Sequence, residues 1–271
     1  MVQEAKVERV GNHVVIARAG GLAEVTFDRK DRLNALSIEA MRELKSAAHA
    51  LRDDTSIRAI TLSGAAVFSA GADLTDPELR ARDAMGVVEQ RNALRLGPEM
   101  CDAWAALEPM TITAIEGFCL GGGLALAAAC DHRVIVSNAH MRLPEVPLGL
   151  NMSWRSVPRL VALIGPSRAK ELIVLGRKIE ADEALQWGLA DRVARPGEAL
   201  ERARDLAAQY AFLPPLAARM AKEAIDACAQ PLGFATSFMD RDQFMLARTS
   251  DDHSEAVNAF LEKRAPDFKG K

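Results

Sequence analysis

Residues 117–131 read Gly117-Phe-Cys-Leu-Gly-Gly-Gly-Leu-Ala-Leu-Ala-Ala-Ala-Cys-Asp131, and the organisation of the chain turns on them. They follow an apolar, β-branched run, Met110-Thr-Ile-Thr-Ala-Ile115, which predicts a buried strand. Gly121, Gly122 and Gly123 then turn the chain into a small-residue helix over Leu124–Cys130. Without a Cβ, their backbone can approach another group closely and can take positive φ. The first turn of the helix leaves amide N–H groups without intrahelical partners, and with the helix dipole they favour negative charge. A developing anion can therefore be held here without a charged side chain. The stretch reads equally as a turn whose glycines let a helix pack tightly on a strand.

The same logic recurs upstream. Ala70-Gly71-Ala72-Asp73 follows a strand predicted over Arg58–Ser63, and again sets a glycine before a small residue. N–H groups from the two turns could converge on one oxygen as an oxyanion hole, useful where a carbonyl becomes an enolate or tetrahedral oxyanion. Spacing alone does not bring the turns together.

Around this centre, residues 12–18 and 22–27 predict two strands joined by a Gly20-Gly21 hairpin turn. Ser37 is the expected N-cap of a helix that puts Met41, Leu44, Ala48 and Leu51 on one face. Residues 76–98, charged and interrupted by Pro77, Gly86 and Gly97, predict a partly helical segment, and 98–107 a helix. His132–Ser137 predicts a strand, and Met141–Gly149 a loop with two prolines. Helices are expected at about 154–163, 167–174 and 181–187, then a strand at about 191–194. Beyond Pro196-Gly197 only helices follow, at about 198–210, 214–229, 232–248 and 252–263. The pattern predicts an α/β core over residues 1–195 and a helical C-terminal subdomain over 196–271.

Composition narrows the function classes. With 271 residues, 49% hydrophobic and 26% charged, the chain can bury a large core. No run approaches the roughly 18 apolar residues of a membrane-spanning helix. A net charge of −3 gives no global attraction to nucleic acid or anionic membrane. Residues 1–8 lack a basic region followed by an apolar one, so no secretory signal is expected. Cys101, Cys119, Cys130 and Cys228 form no CxxC pair and no zinc-type spacing with histidine, so no metal is expected. Cys119 and Cys130 read as core residues, and a reducing cytoplasm is the expected compartment. His13, His49, His132, His140 and His253 are scattered and read as structural or solvated.

Five stretches together resemble the crotonase family, the enoyl-CoA hydratase and isomerase superfamily. They are Leu33-Asn-Ala-Leu-Ser37, Phe68-Ser-Ala-Gly-Ala-Asp-Leu74, Ala114-Ile-Glu-Gly-Phe-Cys-Leu-Gly-Gly-Gly123, Leu143-Pro-Glu-Val-Pro-Leu-Gly149 and Ala259-Phe-Leu-Glu-Lys-Arg-Ala-Pro-Asp-Phe-Lys-Gly270. They fall in the family's order and cover nearly the whole chain. The resemblance implies a spiral of ββα repeats with a helical C-terminal region, assembled as a homotrimer or a dimer of trimers. It implies an acyl-CoA thioester substrate, with coenzyme A part of the substrate and no separate cofactor. The thioester oxygen would accept N–H bonds from Ala72 and Gly122, and the reaction would pass through a thioester enolate. Ala35, Ala70, Asp73, Leu74 and Gly121 would bind the substrate, and Asn151, Ser153 and Trp154 would line the acyl pocket. Phe260 and Lys263 match positions that touch the coenzyme A moiety, in some members from an adjacent subunit. Lys263 reads equally as a solvated helix lysine.

The chain departs from the family at one acid-base position. Family hydratases carry a glutamate two places after the third glycine, where this chain has Ala125; the second family glutamate is present as Glu145. Hydration of a conjugated double bond has two proton-handling tasks, activating water at Cβ and protonating Cα. Moving a double bond needs one base, which takes a proton from one carbon and returns it to another. Ala125 with Glu145 thus leans the expectation toward isomerisation, with hydration of a 2-enoyl-CoA as the alternative. Ser153 stands where dienoyl-CoA isomerases carry an aspartate, which disfavours that activity. Thr75 stands where many relatives have a lysine near the nucleotide part of coenzyme A, so that contact is not expected. For Asp73 and Glu116, solvated or capping roles are the stronger readings.

Three rival classes fit the sequence less well. A dinucleotide-binding fingerprint needs Gly-x-Gly-x-x-Gly, whereas the cluster here is Gly-x-x-x-Gly-Gly-Gly in mid-chain. Val67-Phe-Ser-Ala-Gly71 keeps only the last glycine of a serine-hydrolase elbow. A non-catalytic acyl-CoA-binding protein would fit the loss at Ala125, but Glu145 is retained.

Overall fold

The computed structural model describes residues 5–230 and 232–271, and its main sheet begins with the predicted hairpin. β2 (Val14–Ala19) and β3 (Leu22–Phe27) pair antiparallel, with Ala19 opposite Leu22 across Gly20 and Gly21. Those glycines take φ of 58° and 83°, the left-handed values a two-residue hairpin turn requires. Val14, Ile16, Ala23, Val25 and Phe27 are buried, so alternation sets which face meets the core. β1 (Lys6–Val10) adds an antiparallel edge that the sequence did not announce. Its side chains are exposed or only half-buried, so no apolar alternation marks it. Residues 1–4, on which the expectation about a secretory signal partly rests, lie outside the described residues.

From β3 onward the sheet is parallel, through β4 (Ala59–Ser63), β5 (Met110–Ile115), β7 (His132–Val136) and β10 (Arg192–Ala194). Between these strands the chain makes short excursions into a second, smaller sheet of β6 (Phe118–Leu120), β8 (His140–Arg142) and β9 (Ile179–Glu180). β5 is followed by β6 and a helix, and β7 by β8. After β4, Ser69 makes an equivalent bridge to Cys119. Each turn of the chain thus lays one strand in each layer before a helix returns it, which is the expected spiral of ββα repeats.

Ser37 caps α1 (Ile38–Arg52) as expected, its side chain accepting from the Ala40 N–H at 3.1 Å. The charged segment resolves into α2 (Pro77–Ala81), α3 (Val87–Ala93) and the start of α4 (Leu96–Ala105). Trp104 of α4 is wholly buried and donates its Nε1 hydrogen to Leu44 O at 3.1 Å, joining α4 to α1. α5 (Gly122–Ala128) follows the glycine turn, with every residue buried. The two helices expected over 154–174 form α6 (Ser156–Ile173), kinked at Gly165 (φ 75°, ψ 164°) ahead of Pro166. α7 (Ala181–Trp187) leads to β10.

The remaining helices are α8 (Ala199–Ala211), α9 (Pro215–Ala229), α10 (Gly233–Ser237), α11 (Asp240–Arg248) and α12 (Asp251–Glu262). The single helix expected over 232–248 is broken between α10 and α11. α8 lies on the main sheet through Ala199, Ala203, Leu206 and Ala207. α9 buries only Lys222, whose ammonium donates to Leu107 O (2.6 Å), Pro109 O (3.1 Å) and Asp131 Oδ2 (2.6 Å). Asp131 also accepts from the Thr111 N–H at 2.7 Å, so this buried charge is paired and hydrogen-bonded on all sides. Among the described residues, no helix is long and apolar enough to cross a membrane.

Candidate active site

The turn after β4 is fixed by the Leu33–Ser37 stretch. Asn34 donates from Nδ2 to Phe27 O (3.1 Å) and Phe68 O (2.9 Å), while its Oδ1 accepts from the Arg29 N–H (3.1 Å). Ala70 N–H donates to Leu33 O, Leu36 N–H to Gly71 O and Asp73 N–H to Leu36 O. Successive amides of an extended segment point to opposite sides. The Ala72 N–H therefore faces away from Leu36, and it has no acceptor among the described residues. Buried Ser69 braces the turn from inside, its Oγ accepting from the Gly71 N–H at 3.1 Å.

Gly121 (φ 49°, ψ −123°) adopts a backbone conformation that a side chain would strain. Its N–H donates to Arg142 O at 2.9 Å, and its carbonyl accepts from the Ala125 N–H, opening α5. The Gly122 N–H, in the first turn, has no intrahelical acceptor and none elsewhere among the described residues. The two turns touch: a Cβ on Gly71 would stand 3.0 Å from Leu120 O and 3.5 Å from Gly122 N. Two unengaged N–H groups, on Ala72 and Gly122, thus belong to adjoining turns.

Glu145 leans over the second turn. A Cβ on Gly121 would lie 2.8 Å from its Oε1, so only glycine leaves room for the carboxyl. Its Oε2 is sealed from solvent and has no hydrogen-bond partner among the described residues. Desolvation pushes this carboxyl up from 4.5 to about 7, against a smaller opposing effect of its own backbone N–H. The loop is held from the C-terminal region: the His253 ring meets Leu148 O at 2.7 Å, and a Cβ on Gly149 would collide with His253. Ala125 is fully buried and supplies no proton-handling group.

Trp154 closes one side. Cβ atoms on Gly97 and Gly122 would stand 2.2 and 2.4 Å from its ring atoms, so the indole sits between α4 and the start of α5. Trp154 and Arg155 both take left-handed φ, 60° and 53°. The strained pair is held by the Arg155 N–H, which donates to Asp240 Oδ2 at 2.6 Å, and by ion pairs from Arg155 and Arg159 to Asp102. Asn151 meets Gln243, and Ser153 is buried.

The other expected site residues divide. Ala35 is buried beside the first turn, its carbonyl accepting from Arg29 Nη1 at 2.8 Å. Asp73 directs its carboxylate at Arg29 (2.8 Å) and at Thr75 N and Oγ1 (2.9 and 2.6 Å). Burial works to raise that carboxyl, but the Thr75 and Arg29 hydrogen bonds outweigh it and hold it below the usual value. Leu74 is exposed. Glu116 accepts from the Gly197 and Ala199 N–H groups and so caps α8. Phe260 and Lys263 stand exposed at the C-terminal end of α12, whose other end packs on the Glu145 loop. His13, Glu39 and Glu43 bring possible metal donors within 4.8 Å at the β1–β2 turn, but both Glu43 oxygens accept backbone N–H groups there.

Asn34, Ser69 and Gly97 escaped the sequence reading as positioning residues. The asparagine between two leucines before an N-cap was the available signal. For Gly97, whose lack of a Cβ serves a residue 57 positions later, there was none.

A family model described as enoyl-CoA hydratase/isomerase matches residues 17–271. The short-chain-enoyl-CoA hydratase of Clostridium acetobutylicum is 34% identical over 256 residues, covering 93% of this chain and 96% of that protein. The crotonyl-CoA hydratase of Syntrophomonas wolfei is 33% identical over 261 residues, covering 96% and 98%. The crystal structure of an enoyl-CoA hydratase/isomerase from Pseudoalteromonas atlantica matches with a TM-score of 0.83 at 26% identity, over 95% of this chain and all of that one.

Proposed function

Because the chain belongs to the enoyl-CoA hydratase/isomerase family, we propose that it adds water to a 2-enoyl-CoA thioester through an enolate. The observation that carries this is Glu145, one buried carboxyl lodged against Gly121 beside the open N–H groups of Ala72 and Gly122. The hydratase names of the similar proteins favour water addition over double-bond migration.

In this mechanism the Ala72 and Gly122 N–H groups donate to the thioester oxygen. The Glu145 carboxylate takes a proton from water as the water oxygen bonds to Cβ. The π electrons move onto the thioester as an enolate, which the two donors stabilise. Protonated Glu145 then delivers that proton to Cα, the thioester re-forms, and the carboxylate is regenerated. A carboxyl near 7 suits both transfers, since it exchanges protons readily in either direction at neutral pH. Ala35, Ala70, Leu74 and Gly121 line the thioester end and Trp154 the acyl end, while Asp73 braces the first turn through Arg29. Coenzyme A enters only as part of the substrate. Phe260 and Lys263 reach it from a neighbouring subunit of a homotrimer or dimer of trimers. Exposed Phe212, Leu216, Met220 and Ile225 on the C-terminal helices support such an assembly. Four free cysteines support a reducing, cytoplasmic setting.

A second reading, migration of a double bond, is favoured by Ala125, which leaves Glu145 as the single base. The test is a panel of 2-enoyl- and 3-enoyl-CoA thioesters followed in the ultraviolet. Hydration removes the conjugated absorbance and migration creates it. Turnover of 3-enoyl substrates alone would replace hydration by isomerisation. Binding without turnover, and without deuterium exchange at Cα or Cγ, would leave a non-catalytic acyl-CoA binder.

A further inference from the structure

Arg82 is 8% exposed, yet it makes no ion pair or hydrogen bond with its side chain among the described residues. It lines an open cleft of about 360 Å³ between α1, α2, α3 and α4, together with Arg42, Arg95, Glu78, Glu99 and Met85. The guanidinium nitrogens are not sealed from solvent, so this cation opens on the cleft without a protein partner, whereas arginines this buried are ordinarily paired.

Every acid within reach is already engaged. Arg82 feels Glu78 and Asp76 as attractive charges, and Arg42 and Arg248 as repulsive ones. Glu78 is bound by Arg42 through both its oxygens. Asp76 Oδ1 accepts from Glu78 and Leu79 N–H groups, and its Oδ2 from the Ile38 N–H at 2.8 Å. Glu99 is paired with Lys45 (2.6 Å) and Arg95 (3.0 Å), and Asp83 with Arg248. The lining therefore holds three cations against two carboxylates that are both committed. Burial is the largest influence on Arg82 and pulls its proton affinity below the usual arginine value, as expected of a cation without a counter-ion.

The cleft is tied to the candidate active site through neighbouring residues of α4. Its lining residue Leu96 precedes Gly97, which carries one face of the Trp154 indole, and the indole's other edge lies on Gly122. The segment bearing Arg82 is also the direct continuation of the Ala72 turn, through the Asp76 cap of α2.

Resting on the acyl-CoA reading above, we infer that this cleft receives a carboxylate at the far end of the acyl chain, held by Arg82. The substrate class is then enoyl-CoA thioesters of dicarboxylic acids. Arg42 and Arg95 border the same space, and a single anion balances the excess positive charge.

Equilibrium binding tests this independently of turnover. Succinyl-, glutaryl-, adipyl- and pimelyl-CoA are compared by calorimetry with butyryl-, valeryl-, hexanoyl- and heptanoyl-CoA, on wild type and Arg82→Met. At the chain length that reaches the cleft, the carboxylate-ended thioester should bind at least about tenfold more tightly than its methyl-ended counterpart. That preference should vanish or invert in Arg82→Met, since a charge-assisted hydrogen bond contributes about that factor. Arg82→Lys should retain part of it. Equal preference in wild type and variant at every length overturns the assignment. Binding of free adipate or inorganic phosphate that depends on Arg82, with no preference among thioesters, assigns the cleft to a free anion and overturns the substrate class. A change of sedimentation coefficient in Arg82→Met without any change in preference places Arg82 at a subunit contact instead. Failure to turn over any enoyl-CoA defeats the catalytic reading alone, because the binding preference is read without it.

Discussion

Replacing Glu145 by glutamine should stabilise the protein above neutral pH while removing its activity. Burial raises this carboxyl from 4.5 to about 7 in the folded chain. The folded value is the higher one, so the stability tied to this residue is complete below about pH 4.5. It declines as pH rises, and is gone above about pH 7. The distance from 4.5 to about 7 corresponds to roughly 3 kcal/mol. Glutamine has nearly the same shape and never ionises, so the variant escapes that decline. Urea unfolding of both proteins across this range should give a stability difference that opens from about pH 4.5 to 7 and is flat beyond. Its full size should be roughly 3 kcal/mol, or about 6 °C in Tm. Any fixed cost of burying the amide shifts both ends equally, so the pH dependence is diagnostic, not the absolute gap. Other groups with moved pKa values, such as His140 and Asp191, are present in both proteins and cancel. In the same variant kcat should fall by about 10²- to 10⁴-fold. Wild-type kcat/KM should rise with pH through about 7, because the base must first lose its proton. A stability difference indifferent to pH, or one that moves in favour of wild type as pH rises from about 4.5 to 7, would refute the buried, unpartnered carboxyl.

Three further outcomes are expected. Gly122→Pro removes one N–H donor and should lower turnover by about a hundredfold or more, with circular dichroism checking that the turn has folded; near-normal turnover in a folded variant excludes Gly122 as a donor. Lys222→Met leaves Asp131 and two carbonyls without their shared cation, and chemical denaturation should show a loss of about 3–5 kcal/mol; a loss below about 1 kcal/mol would mean that water replaces the ammonium. Asn34→Ala strips the first turn of its links to Phe27 and Phe68 and should cost about 1–3 kcal/mol together with a fall in kcat; unchanged kinetics would show that the turn holds its shape without it.

Much of the fold was legible where local signals and burial agree. The Gly20-Gly21 turn, the Ser37 cap and the apolar face of α1 follow from two-residue hairpin sterics, a hydroxyl acceptor and helical spacing, all within a few residues. β1 was not legible because an edge strand that faces solvent carries no apolar alternation. The break between α10 and α11 escaped as well, since it has no proline to mark it. At the candidate site, both glycine turns and the glutamate loop were readable as motifs, but their contact was not. That contact depends on Gly71 meeting Gly122 beyond the Ser69–Cys119 bridge, a tertiary fact without a local trace. Trp154 was expected at the acyl pocket; its left-handed backbone, and the glycine in α4 that accommodates its ring, are imposed by packing. Arg82 was invisible because a charged segment such as 76–98 reads as a solvated surface, whereas this arginine turns inward.

The latch on Trp154 also has a consequence in time. A ribosome delivers the glycine turns, Glu145 and the tryptophan itself well before Asp240, whose carboxylate holds the Arg155 N–H and so keeps the indole wall in place. A nascent chain therefore carries both turns and Glu145 while the Trp154 wall is still unlatched, and competence should arrive only as the final helices emerge. Chains released from arrested translation at successive lengths should acquire enoyl-CoA turnover in a single step, once Asp240 has cleared the exit tunnel. Turnover by chains ending before that residue would show that the wall closes without its late partner.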